Sequence, residues 1–152
     1  MATTNPNPAA PKFTAAFCHK IEGKNRITIP AAWRFDEVVE LFMIERSRQK
    51  CVAVMPLAEV ERLRAKADEM KPGDRADFLD TFATSLRPVT LDKTGRLTIP
   101  DEFSALLGLP AAREVWLSGS LDSFNIWNVE DFTAFQAADK ARKEALKRDL
   151  GI

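Results

Sequence analysis

The chain has 152 residues, of which 45% are hydrophobic and 29% are charged, with 22 basic and 22 acidic side chains. This is the composition of an ordinary soluble globular protein, and the balanced charge argues against a protein that coats nucleic acid through its overall charge, while leaving room for a local basic patch. No apolar run is long enough to cross a bilayer and no secretory signal is evident, so a cytoplasmic location is expected.

The first twelve residues predict a disordered tail. Residues 1–12 contain three prolines among small and polar side chains, and such a segment cannot bury a core. The remaining length suits one compact domain, or two small halves that share one core.

An eleven-residue pattern occurs twice, at residues 20–30 and 90–100, an offset of 90 − 20 = 70. Both copies keep their apolar, acidic, arginine, threonine, isoleucine and proline positions in the same order. Three residues after each proline comes an aromatic side chain, Trp33 or Phe103. Agreement at this level does not arise readily by chance, so we interpret the chain as two copies of one unit.

Each copy predicts the order strand, tight loop, strand, short helix, hairpin, helix. In the first copy the helix follows Pro56, which suits a first turn, and its apolar residues recur at spacings of three and four. These residues are Leu57, Val60, Leu63, Ala67 and Met70. A further helix is predicted from Asp74 as a cap, with Pro88 ending the first half.

The last predicted helix starts near Asn128 and turns Phe132 and Phe135 inward, while residues 140–149 are mostly charged and expected to be solvated. We therefore divide the chain into a first repeat (13–87), a second repeat (88–140) and a charged C-terminal helix end (141–152). One unit of about 65 residues has too little core to be secure alone. The predicted fold is mixed α+β with a mainly β core, in which the two units pack as a pseudo-dimer.

The two loops at residues 22–26 and 92–96 are the candidate functional sites. Each carries an acid four residues before an arginine, and in a tight connection the carboxylate can accept from loop amides or orient the guanidinium. Arginine offers a planar fork that suits phosphate oxygens and guanine edges. The alternative is a structural turn with an internal ion pair of small value. Because the arginine is present in both copies, we favour a role in binding phosphates or bases over a purely structural turn.

Asn25 and Gly95 occupy the same position of the repeat, just before the arginine. Glycine adopts positive φ freely, and asparagine is among the few other residues that tolerate it. A left-handed turn is therefore predicted at this position, which would project the arginine from the loop tip.

Local charge distinguishes the two loops. Residues 18–34 contain Lys20, Lys24, Arg26 and Arg34 against Glu22, so 4 − 1 = +3, whereas residues 90–103 contain two basic and three acidic side chains, so 2 − 3 = −1. The first loop is therefore predicted to be the main phosphate-contacting surface, because phosphate contacts position a protein on DNA. The candidate DNA-binding residues are Lys20, Glu22, Lys24, Arg26, Arg34, Asp92, Lys93 and Arg96.

Other side chains favour structural roles. The aromatics at matched repeat positions are expected to pack in the core; they are Trp33, Phe103, Trp116 and Trp127. Arg46, Arg48 and Lys50 form a basic hairpin tip that is either an interface or a solvated turn. Cys18 and Cys51 are expected to be reduced, buried thiols, and the single histidine, His19, has no cluster of metal-binding neighbours. No metal, cofactor, small-molecule substrate or catalytic residue is predicted.

The string Leu91-Asp92-Lys93-Thr94-Gly95-Arg96-Leu97-Thr98-Ile99-Pro100 resembles the core motif of the SpoVT/AbrB-type swapped-hairpin domain. Two such units in a chain of this length, each followed by a hairpin and a helix, resemble the MraZ family over about residues 13–140. The first motif departs from the family pattern, because Glu22 replaces aspartate and Asn25 replaces glycine.

The resemblance implies two swapped-hairpin units in one pseudo-twofold barrel with peripheral helices. It also implies a nucleoid-associated transcriptional repressor of the division and cell-wall gene cluster. Such a protein assembles into a ring and binds repeated boxes of double-stranded DNA upstream of its own operon. The acid-to-arginine loops would supply the contacts through Glu22, Lys24, Arg26, Asp92 and Arg96.

The sequence leaves two other classes of function open. A non-DNA-binding interaction module, antitoxin-like or scaffolding, is favoured by the neutral net charge and by the altered first loop. An enzyme would need a positioned partner and a pocket for Glu22 and Asp92. The sequence supplies neither a nucleophile constellation nor a phosphate-binding glycine-rich loop, so we expect no enzymatic activity.

Overall fold

The fold is given by a computed structural model, which describes residues 11–109 and 111–152. Of the predicted tail, residues 1–10 lie outside the described residues. At its end Lys12 is exposed and its Nζ lies 3.2 Å from Asp122 Oδ1. Phe13 is buried and bridges to Leu121 through two backbone hydrogen bonds of 2.9 Å, which tie this part of the chain to the second half.

The first half follows the predicted order. After β1 and a loop come a second strand, a 3-10 turn at Ala31–Trp33, a hairpin and two helices. Their bounds are β1 Ala16–Lys20, β2 Arg26–Thr28, β3 Val39–Glu45, β4 Cys51–Pro56, α1 Leu57–Lys66 and α2 Pro72–Ser85.

The second half repeats this order, and a short helix replaces the 3-10 turn. Its elements are β5 Arg87–Leu91, β6 Arg96–Thr98, α3 Asp101–Leu106, β7 Glu114–Gly119, β8 Phe124–Asn128, α4 Val129–Ala137 and α5 Lys140–Asp149. Pro88 lies inside β5, and its register partner Phe42 lies in β3.

The helices differ from the predictions in detail. α2 begins at Pro72, because proline suits the first helical turn; Asp74 lies within that turn and does not cap it. The predicted apolar face of α1 is only partly covered, since Leu57 is 38% and Met70 is 44% exposed while Ala67 is buried. α1 ends at Lys66, a 3-10 turn follows at Ala67–Glu69, and Met70 after it has an extended backbone (φ −80°, ψ 161°).

The last helix is two helices. α4 begins directly after Asn128, as predicted, and the Asn128 side chain caps it by accepting from the Glu130 N–H at 2.9 Å. Phe132 is buried. Asp139 has φ 53°, a left-handed conformation that interrupts the helix. α5 then packs back through Lys143, whose Nζ donates to the Phe135 carbonyl at 2.7 Å and lies 4.0 Å from the centre of that ring.

Strands from the two halves interleave in one six-stranded antiparallel sheet of order β1-β7-β8-β4-β3-β5, and β2 pairs with β6 in a separate two-stranded ribbon. The first strand of each half therefore pairs with the hairpin of the other half: β1 with β7, and β5 with β3. The fold is mixed α+β with a mainly β core, as the sequence predicted.

The strand register pairs residues that are equivalent in the two sequence repeats. In the ribbon, Ile27 pairs with Leu97, and 97 − 27 = 70. In the sheet centre, Ala53 pairs with Asn125, and 125 − 53 = 72. In both sheets, therefore, these residues lie opposite their own counterparts in the other repeat.

The main core contains residues from both halves. Trp33 and Trp127 are buried and Phe103 is only 5% exposed, as predicted, whereas Trp116 is half-buried and stacks on Phe132 with ring centres 4.8 Å apart. Cys51 is buried, but the expectation for Cys18 was wrong. Cys18 lies on the outward face of the edge strand β1, where its thiol lies 3.5 Å from Glu114 Oε2.

Every helix in the described ranges is too short or too polar to traverse a lipid bilayer. Within the same ranges, no group of three His, Cys, Asp or Glu side chains is placed to hold a metal ion.

Candidate functional site

The two acid-to-arginine loops have the same backbone frame. The N–H of Glu22 donates to the Arg26 carbonyl at 2.8 Å, and the N–H of Asp92 donates to the Arg96 carbonyl at 3.1 Å. Each loop is thus closed by a hydrogen bond between its acidic residue and its arginine, at the entry to the ribbon strands. The four-residue spacing produces this closure through the main chain.

The predicted left-handed turn is present in both loops. Asn25 has φ 57° and Gly95 has φ 82°. In the first loop Lys24 is also left-handed, with φ 62° and ψ 34°, which the sequence comparison did not predict. Two successive left-handed residues make the first loop different in path from the second.

Each loop is fastened to the opposite half of the chain. The N–H of Ile29 donates to the Gly95 carbonyl at 2.8 Å, and the N–H of Ile99 donates to the Asn25 carbonyl at 2.9 Å. The turn residue of one repeat therefore supports the strand end of the other. These two hydrogen bonds attach the loops to opposite ends of the two-stranded ribbon.

The ribbon places both arginines on its exposed face. Ile27 and Leu97 are buried, and Arg26 and Arg96, one position away in each strand, are exposed. Because successive side chains of a strand point to opposite faces, the buried pair turns the guanidinium groups outward.

Asp92 organises the second loop. Its Oδ1 accepts from the Thr94 N–H at 2.8 Å, the Thr94 hydroxyl at 2.6 Å and the Arg96 N–H at 3.0 Å. The hydrogen bond from the Thr94 hydroxyl, followed by that from the Arg96 N–H, lowers the pKa of Asp92 below its usual range. An aspartate two residues before a threonine is a common signal for such a turn, and sequence analysis did not use it.

The ion pair considered within each loop is replaced by one between the loops. Glu22 Oε1 accepts from the Thr28 hydroxyl at 3.1 Å, and its Oε2 lies 3.9 Å from Arg96 Nε. Glu22 and Arg96 are respectively 41% and 50% exposed at the side chain, so solvent screens this pair strongly. Among the described residues Arg26 forms no ion pair, and its Nε donates weakly to the Gly23 carbonyl at 3.4 Å.

The other predicted residues occupy different surroundings. Lys20, Lys24 and Lys93 are exposed at or beside the loops. Arg34 is half-buried, and its Nε and Nη2 donate to the Ile29 carbonyl at 3.3 and 3.2 Å. Of the six predicted basic side chains, Arg34 alone is not exposed.

Arg46, at the base of the basic hairpin tip, joins the two halves. Its Nε donates to Asn125 Oδ1 at 2.7 Å and its Nη2 lies 3.4 Å from the Ser123 hydroxyl. The sequence predicted that this tip is either an interface or a solvated turn. Neither prediction included a contact of Arg46 with the other half of the same chain. No pattern in the sequence pairs Arg46 with a residue 79 positions away.

The hydrogen bonds of Asp92 lead to a prediction about its titration. Because the Thr94 hydroxyl is the largest cause of the lowered pKa, Thr94→Ala is expected to raise the Asp92 pKa toward the ordinary aspartate value of about 3.9. A folded-state pKa below the unfolded one means that the loop is stabilised near neutral pH and loses this stabilisation as the pH falls through the folded pKa.

Carbon-13 NMR of the Asp92 carboxyl during acid titration measures this pKa. Lys93→Ala is the matched control, because it changes an exposed neighbour and leaves the three hydrogen bonds in place. An Asp92 pKa that is the same in Thr94→Ala and in the unchanged protein would contradict the assignment.

Comparison with known proteins points to one family. The family model described as "MraZ protein, putative antitoxin-like" matches residues 84–151. The chain is similar to the Transcriptional regulator MraZ of Corynebacterium kroppenstedtii, with 33% identity over 128 residues, covering 82% of this chain and 87% of that protein. It is also similar to the proteins of the same name from Leuconostoc citreum and Leuconostoc mesenteroides, each with 28% identity over 127 residues, 82% of this chain and 87% of theirs.

Proposed function

The chain belongs to the MraZ family, and from this premise we propose that it is a sequence-specific DNA-binding transcriptional regulator and not an enzyme. Its relatives carry the name transcriptional regulator. The observation that carries the proposal is the two-stranded ribbon of β2 and β6, whose exposed face presents Arg26 and Arg96.

A two-stranded ribbon fits the major groove of B-DNA, and an arginine fork binds the O6 and N7 acceptors of guanine or two phosphate oxygens. In the proposed complex Arg26 and Arg96 enter the groove, and Lys20, Lys24 and Lys93 bind phosphates beside it. The carboxylates act indirectly: Asp92 shapes the second loop, and Glu22 matches part of the charge of Arg96.

The architecture that supports this role is a tandem of two swapped-hairpin units, residues 13–87 and 88–140, closed into one pseudo-twofold barrel. The pairing of each first strand with the other half's hairpin supports this assignment. So does the pairing of Ile27 with Leu97 and of Ala53 with Asn125, each with its own counterpart.

One ribbon offers few contacts, so binding in the cell requires several ribbons acting together. We propose that copies of the chain assemble into a ring and bind repeated boxes upstream of their own operon, repressing it, in the cytoplasm at the nucleoid. Linked weak sites raise overall affinity by about 10²- to 10⁴-fold without any new contact. This offsets the neutral net charge of the single chain.

A gel-shift titration with DNA from upstream of the protein's own gene, at two salt concentrations, tests the function. A protein that neutralises six or more phosphates releases their counterions when it binds. Its affinity therefore falls by about 10³-fold or more when the salt concentration rises from about 50 to 200 mM. We expect this steep loss for the upstream DNA, and weaker binding to scrambled DNA of the same length at both salt concentrations. Equal binding to the two DNAs would contradict sequence-specific regulation.

A second function, partner binding without DNA, is favoured by the net charge of −1 at residues 90–103 and by the antitoxin-like family description. It predicts no retardation of DNA even at low salt, together with co-purification of one protein in stable stoichiometry. Retardation of the upstream DNA at low salt excludes it as the main function.

A further inference from the structure

We propose that Arg34 is a positioning residue, which sets the conformation of the second loop from the opposite repeat and does not grip DNA. The inference rests on the proposed function only in its DNA-binding consequence. It reassigns one of the basic residues that the local charge count placed on the phosphate-contacting surface.

Arg34 completes a short chain of hydrogen bonds that ends at the second loop. Its Nε and Nη2 both donate to the Ile29 carbonyl, at 3.3 and 3.2 Å. The N–H of Ile29 in turn donates to the Gly95 carbonyl at 2.8 Å. Both backbone polar groups of Ile29 are thus engaged, one by the guanidinium of Arg34 and one by the turn that precedes Arg96.

Gly95 is required by this contact as well as by its backbone conformation. Gly95 is buried, and a Cβ atom built on it would lie 2.2 Å from Arg34 Nε and 2.9 Å from Arg34 Cζ. The guanidinium therefore lies directly against the glycine of the opposite loop. Any side chain at this position would displace Arg34 from the Ile29 carbonyl.

The equivalent positions of the other repeat form a similar arrangement, in which the side chain equivalent to Arg34 is short and the turn residue is larger than glycine. Adding 70 to Arg34 gives Ser104, and subtracting 70 from Gly95 gives Asn25. The hydroxyl of Ser104 lies 3.1 Å from the Pro100 carbonyl and 3.4 Å from the Ile99 carbonyl, two acceptors for its one proton, and the N–H of Ile99 donates to the Asn25 carbonyl. The long side chain of Arg34 is thus combined with Gly95 in the second loop. The short side chain of Ser104 is combined with Asn25 in the first loop.

The pairing explains why the two loops differ in their turn residue. Arg34 leaves no room for a Cβ atom at residue 95, whereas the equivalent of Arg34 in the second repeat is the much shorter Ser104. Without Arg34, the exposed basic residues of the first loop are Lys20, Lys24 and Arg26. Against Glu22 they give a net charge of 3 − 1 = +2.

A double-mutant cycle on the full-length protein tests the coupling without DNA. Gly95→Asn alone is expected to lower the thermal midpoint by about 2–4 °C, because the displaced guanidinium loses hydrogen bonds worth about 1 kcal/mol. Adding Arg34→Ser, which recreates the Ser104 and Asn25 pair, is expected to restore at least half of that loss. In the unchanged background the same Arg34→Ser substitution lowers the midpoint.

The matched control is the cycle of Arg34→Ser with Asn25→Gly, which changes the turn residue of the loop that Arg34 does not contact. Its effects should add, as they do for independent sites. Additive effects in both cycles would overturn the proposal.

DNA binding separates positioning from phosphate contact. A residue that neutralises one phosphate lowers the slope of log affinity against log salt by about 0.9 when it is removed, and lysine retains that contact. For a positioning residue we expect Arg34→Ser to weaken binding about 3- to 10-fold, the value of one net hydrogen bond, with an unchanged slope.

Arg34→Lys should weaken binding nearly as much, because an ammonium lacks the planar fork that reaches the Ile29 carbonyl twice. A reduced salt slope in Arg34→Ser, or full binding by Arg34→Lys, would overturn the assignment. If even the unchanged protein binds no DNA, the proposed function fails, but the thermal cycle still decides whether Arg34 and Gly95 are coupled.

Discussion

Replacing Arg26 by alanine is expected to abolish most specific DNA binding, and to do so more completely than replacing Arg96. Removing one arginine that reaches a base costs about 1–3 kcal/mol, or roughly 5- to 150-fold in affinity at one site. In the proposed ring the substitution is present in every subunit, so the loss is multiplied across the linked sites.

The ranking of the two arginines follows from their neighbours. Arg96 lies 3.9 Å from Glu22 Oε2, so part of its charge is already matched when DNA arrives. Arg26 forms no such pair within the part of the chain that the structure describes, and it lies in the loop with the excess of basic residues. Its guanidinium is therefore the freer of the two to bind a phosphate or a guanine edge.

Fluorescence-anisotropy titrations of the upstream DNA, at one fixed salt concentration, compare the variants. Glu22→Gln is the informative control, because removing the carboxylate beside Arg96 should strengthen binding modestly and should reduce the difference between the two alanine variants. Unfolding curves establish that each variant is folded. Equal affinities for Arg26→Ala, Arg96→Ala and the unchanged protein would remove the ribbon from the DNA interface.

The repeated pattern was sufficient to predict the elements and the turn geometry, because these depend on local chemistry. Positive φ at Asn25 and Gly95 follows from the residues that tolerate it. The outward direction of Arg26 and Arg96 follows from alternation around Ile27 and Leu97. Neither result requires knowledge of which strands pair.

Contacts between the repeats could not be predicted in the same way. The spacing within a loop suggested that Glu22 would face Arg26, yet Glu22 faces Arg96, 74 residues away (96 − 22 = 74). Arg34 and Arg46 were counted as basic surface, but both donate to groups that only the interleaved pairing brings near them. Charge and periodicity along one segment contain no information about a partner supplied by the other half.

The exposed position of Cys18 has a similar origin. An apolar neighbourhood in the sequence suggested burial, but β1 is an edge strand of the sheet, and its outward residues meet solvent or a single neighbouring strand. The strand order decides which alternate residues are covered, and that order follows from the packing of the two repeats together.

The largest effect on stability is expected at Trp33. Its side chain is fully buried, with ring centres 5.7 Å from Phe13, 5.4 Å from Phe17 and 5.0 Å from Phe124. Its Nε1 donates to the Thr14 carbonyl at 3.0 Å. Trp33 thus joins the chain before β1, β1 itself and β8, which belong to different repeats.

Trp33→Ala is expected to lower the free energy of unfolding by about 3–5 kcal/mol, out of a total of about 5–15 kcal/mol for a typical domain. Denaturant unfolding measures the change. Trp33→Phe, which keeps a ring and loses the hydrogen bond, should cost less, and Trp116→Ala, at a half-buried position, should also cost less. A loss below about 1 kcal/mol, the typical effect of a random substitution, would show that this aromatic cluster does not hold the two repeats together.

Because Arg34 follows Trp33 directly, Trp33→Ala should also release the second loop, so DNA affinity should fall even under conditions where most molecules remain folded.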